Sequence, residues 1–406
     1  MTAAQPAAPI PWKLVFLLGA LTAFAPMSID MYLSSLPAIG TALHAGPEQT
    51  QATLAAFFAG MAIGQFVYGP ASDRLGRRGP ILLGATIYTL ASAACALAPT
   101  IEVLILSRFV QALGGCAGAV VARAVVRDRF SHADTARVLS TMTLIMGLAP
   151  VLAPQLGGVI QWIAGWRAVF AVLALFGLVI VVWVTLGLKE SRSAQTAALA
   201  RSENPVRAFV ALLRQRRLVG YILAGGLNGG VLFTYIAGAP DLIMGTYGHS
   251  PLVFNLIFAL NSVGIIGASQ LNRVFLRRST PDRVLVRASV ASVAMASLLG
   301  VAAWTGIGGA WTLLPLLFLS LSTYGLMGGN TTAGALSVDP KRAGSASALL
   351  GGAWFGFGAL LSWIGGHLHD GTARPMTSLM CACLVGSALA IFFVAVPRGE
   401  KAPAQA

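Results

Sequence analysis

Charge is scarce in this sequence, and acidic charge scarcer still. Only 10% of the 406 residues are charged, and the 13 Asp and Glu are outnumbered two to one by 27 Lys and Arg. A soluble domain carries about a quarter charged residues, so this chain cannot clothe a water-facing surface. Cysteine is equally thin. Cys95, Cys116, Cys381 and Cys383 all fall within apolar runs, without zinc-ligand spacing and outside the loops where disulfides form, and read as packing residues. What fills the space is apolar: 56% of residues are hydrophobic and the mean hydropathy is +0.78. Each membrane-spanning helix needs about 20 apolar residues, so ~33 residues per span and connection divide the chain into about twelve units. The 46 glycines fit such a molecule, because membrane helices pack through small residues.

The sequence predicts an all-α polytopic membrane protein with spans at 13–39, 50–72, 80–98, 102–124, 138–162, 168–188, 216–241, 251–274, 284–304, 311–335, 344–366 and 375–396. A net charge of +14 would suggest nucleic acid in a soluble chain. Here 23 of the 27 basic residues fall on one side of these spans, and only Arg167 and Arg374 on the other. That is the positive-inside pattern and places both termini in the cytoplasm. The basic residues are scattered over loops with no aromatic platform or recognition motif, so no nucleic-acid partner is expected.

Residues 1–12 read as a polar, Pro-rich cytoplasmic tail without a basic n-region, and no cleavage is expected. The most polar stretch, 189–215, reads as a cytoplasmic linker between two six-span halves, 13–188 and 216–396, followed by a tail at 397–406. A short basic loop follows span 2 (Asp73 to Arg78) and another follows span 8 (Asn272 to Arg283), a faint echo between the halves. Internal symmetry of this kind is common in secondary transporters, whose substrate site lies between the halves at the bilayer midplane.

Twelve of the thirteen acids sit in loops or near span ends; Asp30 alone lies deep in a span. A carboxylate there costs ~2.5 to 3.5 kcal/mol on insertion scales, so it should face a cavity or a partner. Burial favours its neutral form and suits it to loading and releasing a proton. Arg108 is the basic residue read as lying well inside a span. Asp30 is about eight residues, ~12 Å, below the outer edge, and Arg108 about six residues, ~9 Å, below the same edge. If spans 1 and 4 are neighbours, Arg108 is placed to bias the Asp30 proton or to bind a substrate anion; the alternative is a snorkelling arginine satisfied by interface groups.

Three stretches have a mechanical reading. After span 2, Asp73-Arg74-Leu75-Gly76-Arg77-Arg78 requires a tight turn at Gly76 and sets an acid beside three arginines. Asp73 is placed to cap a helix N-terminus across the cytoplasmic face and hold that side shut. In span 5, Pro150 and Pro154 lie one turn apart between Gly147 and the pair Gly157-Gly158, so a bend is expected there. In span 1, Pro26 and Pro37 flank Asp30, and such an interrupted helix is tolerated only where protein or a water-filled cavity covers it. Tyr32, Gln111, Asn228, Tyr235, Asn261, Asn330 and Trp354 are candidate lining residues of that cavity.

Together these stretches resemble a known family. The Asp73–Arg78 loop resembles the signature of the major facilitator superfamily, Arg108-Phe109-Val110-Gln111-Ala112-Leu113-Gly114 is similar to its span-4 arginine motif, and the span-5 Gly/Pro stretch to the antiporter motif of its drug exporters. Ser28-Ile29-Asp30-Met31-Tyr32-Leu33-Ser34-Ser35-Leu36-Pro37 resembles the first-span signature of the bicyclomycin-resistance (Bcr/CflA) drug:proton antiporters. Ala259-Leu260-Asn261 and Ala343-Gly344-Ser345-Ala346-Ser347-Ala348-Leu349 extend the likeness to the second half. The resemblance implies a twelve-helix rocker-switch monomer in a bacterial inner membrane that exports small, often amphipathic compounds against proton influx, with no cofactor beyond the proton. It implies Asp30 as proton carrier, Arg108 as coupling residue, Asp73 as a latch on the start of span 11 near Gly344, and Gly147, Pro150, Pro154, Gly157 and Gly158 as the export-favouring bend. Ser34 stands where the family usually has proline and Ala112 where glycine is usual, departures that bear on substrate range more than on coupling. A dedicated metabolite exporter or an importer would use the same fold. An enzyme is not expected, since all five histidines fall in loops with no buried acid or nucleophile beside them.

Overall fold

The computed structural model describes residues 11–130, 132–192, 197–198 and 204–396. The tails and the middle of the linker, with Arg201, Arg398 and Lys401, lie outside the described residues.

The apolar runs fold into helices throughout: α1 (Trp12–Thr22), α2 (Phe24–Asp30), α3 (Leu36–Ala42), α4 (Pro47–Leu75), α5 (Arg78–Leu97), α6 (Ile101–Arg129), α7 (His132–Ala164), α8 (Trp166–Gly187), α9 (Pro205–Leu213), α10 (Arg216–Pro240), α11 (Pro251–Leu276), α12 (Pro281–Thr305), α13 (Ala310–Val338), α14 (Ala343–His367) and α15 (Arg374–Ala390). There is no strand among the described residues. Among the described residues eleven helices are long and apolar enough to cross a bilayer, and the broken α1–α3 segment, bent by 42°, taken as one span makes twelve. Within each half the long helices pack side by side, α4 and α5 on α6, α12 on α13 and α15. The halves meet where α4 lies along α14 and α7 along α11. The outward-facing surface is apolar, with exposed Leu83, Leu90 and Leu97 along α5, while Trp162, Trp304, Trp311 and Trp363 are exposed at helix ends on the face away from the basic loops, where indole rings suit a membrane boundary.

The two proline-bearing spans differ. α7 is one continuous helix through Pro150 and Pro154. The first span is interrupted, as its flanking prolines lead one to expect. α1 ends at Thr22, and Pro26, which has no N–H to give, sits in the first turn of α2, where that N–H has no intrahelical acceptor. The backbone breaks again directly after Asp30, passing through Met31 and Tyr32 into a 3₁₀ turn at Leu33–Ser35 that contains Ser34, before Pro37 opens α3. The linker also holds more order than its polarity suggested: α9 is capped by the Asn204 side chain on the Val206 N–H and buries Ala208 and Leu212, one turn apart.

Candidate transport site and gates

Asp30 is the last residue of α2 and is 3% exposed, with no hydrogen bond or ion pair to its carboxyl among the described residues. The turn after it is pressed against α7: a Cβ at Gly157 would collide with the Met31 carbonyl oxygen, so only glycine admits that contact. From the other half, Tyr235 of α10 is close enough to Asp30 to interact with it electrostatically.

Arg108 is fully buried, but it is not the ion-pair partner of Asp30. Its guanidinium lies 4.3 Å from the Tyr32 ring centroid, 4.2 Å from Phe57 and 5.7 Å from Phe170. Desolvated cation–π contacts are each worth about 2 kcal/mol, enough to hold a charge without a carboxylate. Its Nη1 donates to Gln111 at 2.6 Å, Gln111 donates to Ser92 at 2.7 Å, and Nε and Nη2 have no partner. Tyr32 in turn shares a hydrogen bond with Thr53 (3.0 Å). Gln111 and Tyr32 are thus committed to the arginine, and the cation reaches the acid only through the turn that joins Tyr32 to Asp30.

The other lining candidates separate. Asn261 donates to the Tyr235 hydroxyl at 2.7 Å, and Asn228, 1% exposed, has both amide atoms unpartnered. Asn330 does not join them; it exchanges amide hydrogen bonds with Asn272 (2.8 and 3.5 Å), tying α13 to α11 towards the basic face. Trp354 stacks with Tyr324 at 6.2 Å and abuts Phe233, which meets Phe58 of the first half at 4.2 Å. This aromatic contact across the halves has no signature among the polar residues by which the cavity is sought in the sequence.

On the face opposite the basic loops the halves are closed. Asn255 of α11 donates to the Pro154 carbonyl of α7 (3.0 Å), and a Cβ at Gly158 would meet the same amide at 2.6 Å. Glu48 pairs with His367 (3.0 Å) from α4 to α14, and within the first half Ser35 donates to Gln161 (2.9 Å). Gly147, by contrast, has only Ile266 near it, at 3.9 Å.

On the basic face the halves part around a cavity of about 720 Å³ lined by both. Asp73 and Gly344 both border it but do not touch; nothing approaches a Cβ at Gly344 within 4 Å. Asp73 instead accepts from Arg77 (2.5 Å), whose Nε donates to Asp128 of α6 at 2.7 Å. Burial works against the Arg77 charge, yet its bonds to Asp128 and Asp73 outweigh that and hold it more basic than an ordinary arginine. Arg123 also borders this cavity, without an ion pair among the described residues. Arg108 is therefore not the only basic side chain at depth. Arg123 stands at the very end of the expected span, 102–124, whereas α6 runs on to Arg129, and the extra turn carries Arg127 and Asp128.

Glu190 is the residue most undervalued by sequence. Expected as a plain loop acid, it accepts from the backbone N–H groups of Arg77 (2.9 Å) and Arg78 (3.2 Å) at the start of α5, and from Ser191 and Arg192. Partial burial would raise its carboxyl, but these donors outweigh it and hold the group below the usual range. Gly76 has φ +95°, and a Cβ there would meet Glu190 Oε2 at 2.6 Å, so glycine serves both the turn and the carboxylate. Arg192 closes the clasp by donating to the Asp73 and Arg74 carbonyls (3.1 and 2.5 Å), and Arg78 donates to the Thr185 carbonyl at 2.8 Å. The signal available was an acid, one of two with Glu203, in a linker rich in basic residues.

Twelve spans in two packed halves, parted on one face and closed on the other around a buried carboxylate, define a secondary transporter of alternating-access type. The chain belongs to the major facilitator superfamily, whose family model matches residues 18–362, and within it to the bicyclomycin-resistance group. It is 35% identical to the MFS-type transporter YdgK of Bacillus subtilis over 93% of this chain and 94% of that one. It is 32% identical to a bicyclomycin resistance protein homolog of Haemophilus influenzae (94% and 95%) and 30% identical to the multidrug resistance protein MdtL of Escherichia coli (93% and 95%). Among solved structures, a D-xylose–proton symporter superposes with a TM-score of 0.75 over 96% of this chain and 98% of that one at 14% identity, a likeness of fold alone.

Proposed function

We propose that this protein exports drugs or small amphipathic metabolites across a bacterial inner membrane in exchange for protons, as a monomer, with its basic face and both termini in the cytoplasm. The observation that carries the reading is Asp30: a carboxyl buried without a partner at a helix break, between α7 and the Tyr235 wall of the other half. The names of the relatives that match over nearly the whole chain, bicyclomycin resistance and multidrug resistance, support the substrate class. We read no catalytic chemistry into the site and no cofactor beyond the proton.

The mechanism follows from the cost of a buried charge. An uncompensated carboxylate in an apolar interior costs several kcal/mol, so the closed intermediate between inward- and outward-facing states is reached only when Asp30 is neutralised. Neutralisation comes from a proton or, in the loaded transporter, from a substrate group that satisfies it. The two compete, and competition is exchange. The described state, open on the basic face and closed at Asn255–Pro154 and Glu48–His367, is inward-facing and accepts substrate from the cytoplasm. A proton from outside then displaces substrate and permits return. Arg108, fixed among aromatic rings, is joined to Asp30 through Tyr32 and the turn between them, and is the candidate coupling residue.

The test is purified protein in proteoliposomes with bicyclomycin as the first probe and a growth-inhibition panel to widen it. Asp30→Asn should abolish substrate-driven proton release and the resistance it confers, with wild-type gel-filtration behaviour. Undiminished transport in that variant would overturn the assignment, and substrate accumulating on the cytoplasmic side under an inward proton gradient would reverse the direction.

A further inference from the structure

A second titratable cluster lies on the face opposite the basic loops and has no part in the mechanism above. Asp241, where α10 gives way to its last turn, pairs with His369 Nδ1 at 3.2 Å. Both border a cavity of about 20 Å³ between the halves, together with Gln51 of α4, Thr234 of α10 and Ser362 of α14. A volume of about 10–15 Å³ suffices for one water, provided it finds two to four polar partners. One wall supplies a partner in need: the Thr234 hydroxyl is 2% exposed and has no hydrogen bond among the described residues. Buried hydroxyls are nearly always satisfied, so this one points to a bound water. The next residue along α10 is Tyr235, the second-half group in electrostatic contact with Asp30.

We propose that Asp241, His369 and Thr234 form an outer proton-loading site, at which a bound water passes protons from the external medium towards Asp30. The proposal rests on the proton-coupled reading above. His369 takes a proton from external water on its free ring nitrogen and gives up the Nδ1 proton to Asp241. The neutral Asp241 then hands its proton to the cavity water, which passes one of its own to the Thr234 hydroxyl as that hydroxyl releases one, whose final acceptor is the Asp30 carboxylate. Asp241, the water and Thr234 end as they began, and His369 returns to its starting tautomer by turning its ring before the next proton.

The surrounding charges favour loading. Asp370, the next residue to His369, has its carboxyl held below the usual range by hydrogen bonds from Thr372, so it adds a negative charge at the mouth of the site. The neighbouring Glu48–His367 pair adds one acid and one base at the α4–α14 edge. Arg374 of α15 is turned away, its guanidinium over the Trp304 ring and donating to the Trp304 carbonyl.

The experiment needs no substrate. Detergent-solubilised protein is subjected to an acid jump and proton uptake is followed with a pH dye. Asp30→Asn should lower the number of protons taken up by one. His369→Gln and Asp241→Asn should leave the Asp30 proton in place but slow its uptake about tenfold, and Thr234→Val, which keeps the acid–imidazole pair, should slow it severalfold. Wild-type uptake rates in these variants would overturn the loading site while leaving Asp30 as carrier. An unchanged proton count in Asp30→Asn would instead remove the coupling reading on which it rests. Should His369→Gln fail to fold, Thr234→Val decides the same question.

Discussion

The two halves share a helix plan but spend polarity differently. The first half holds a buried carboxylate, a caged guanidinium and, at its basic end, a salt-bridged triad of Asp73, Arg77 and Asp128. At the corresponding loop of the second half, Asn272 meets Asn330 through neutral amides beside a half-exposed Arg217–Asp282 pair (2.7 Å), and at membrane depth Asn261 and Tyr235 hold each other. A charge in a low-dielectric setting forces a choice between states, because it must be paired, protonated or moved to water. A neutral amide bonds similarly in either state. At membrane depth the buried carboxylate and guanidinium of the first half therefore change energy through the cycle, whereas the amides and rings of the second give the substrate a wall of nearly constant energy.

Breaking the triad and the amide pair in parallel tests this contrast. Arg77→Gln strands two carboxylates, a loss that reaches about 3–5 kcal/mol for a fully buried pair. Asp73 is almost half exposed, so about 2 kcal/mol is expected. Asn272→Ala removes a neutral hydrogen bond and should cost about 1 kcal/mol. Thermal unfolding in detergent, as matched melting curves, should show the Arg77 variant falling clearly further; equal falls would erase the distinction between the halves. A somewhat smaller effect is expected inside α7. Gly157→Ala forces α7 off the Met31 carbonyl and should cost about 1–3 kcal/mol in the closed outer face, whereas Gly147→Ala has room and should be neutral. With the native cysteines replaced, Ser34→Cys should react severalfold faster with an impermeant thiol reagent from outside in the Gly157 variant alone. Equal labelling would show that this contact does not hold the face shut.

Much of the fold was legible because hydropathy reports what lies in lipid. The twelve runs, the linker and the depth of Asp30 all follow from it. Hydropathy says nothing of where a helix ends once it has left the bilayer, which is why it is silent about Arg127 and Asp128 on the last turn of α6. Polarity at depth flagged Arg108 correctly but not its partner, since a cation satisfied by ring faces leaves no acid in the sequence to find. Proline positions indicated the interruption of the first span, where Pro26 stands in the first turn of a helix, while Pro150 and Pro154 lie within a continuous one. Asn330 and Asn228 look alike in sequence; only packing decides that one meets Asn272 and the other meets nothing.

The smallest expected effect sharpens the comparison most, because among the described residues the linker carboxylate at a helix start serves the first half. Glu190 accepts four backbone N–H groups, two of them at the head of α5, and Glu190→Gln keeps the shape while removing the charge. An exposed anion at a helix N-terminus contributes about 0.3–1 kcal/mol. The sign follows from its lowered carboxyl: the stabilisation is complete above the ordinary Glu range and is lost as pH falls through the lower folded-state value. Wild type should therefore melt slightly above Glu190→Gln at neutral pH, and the two curves should converge in acid, below about pH 4. A difference that persists unchanged at the acid end would mean that Glu190 acts by packing against Gly76 rather than by charge, and the clasp would then resemble the neutral contacts of the second half.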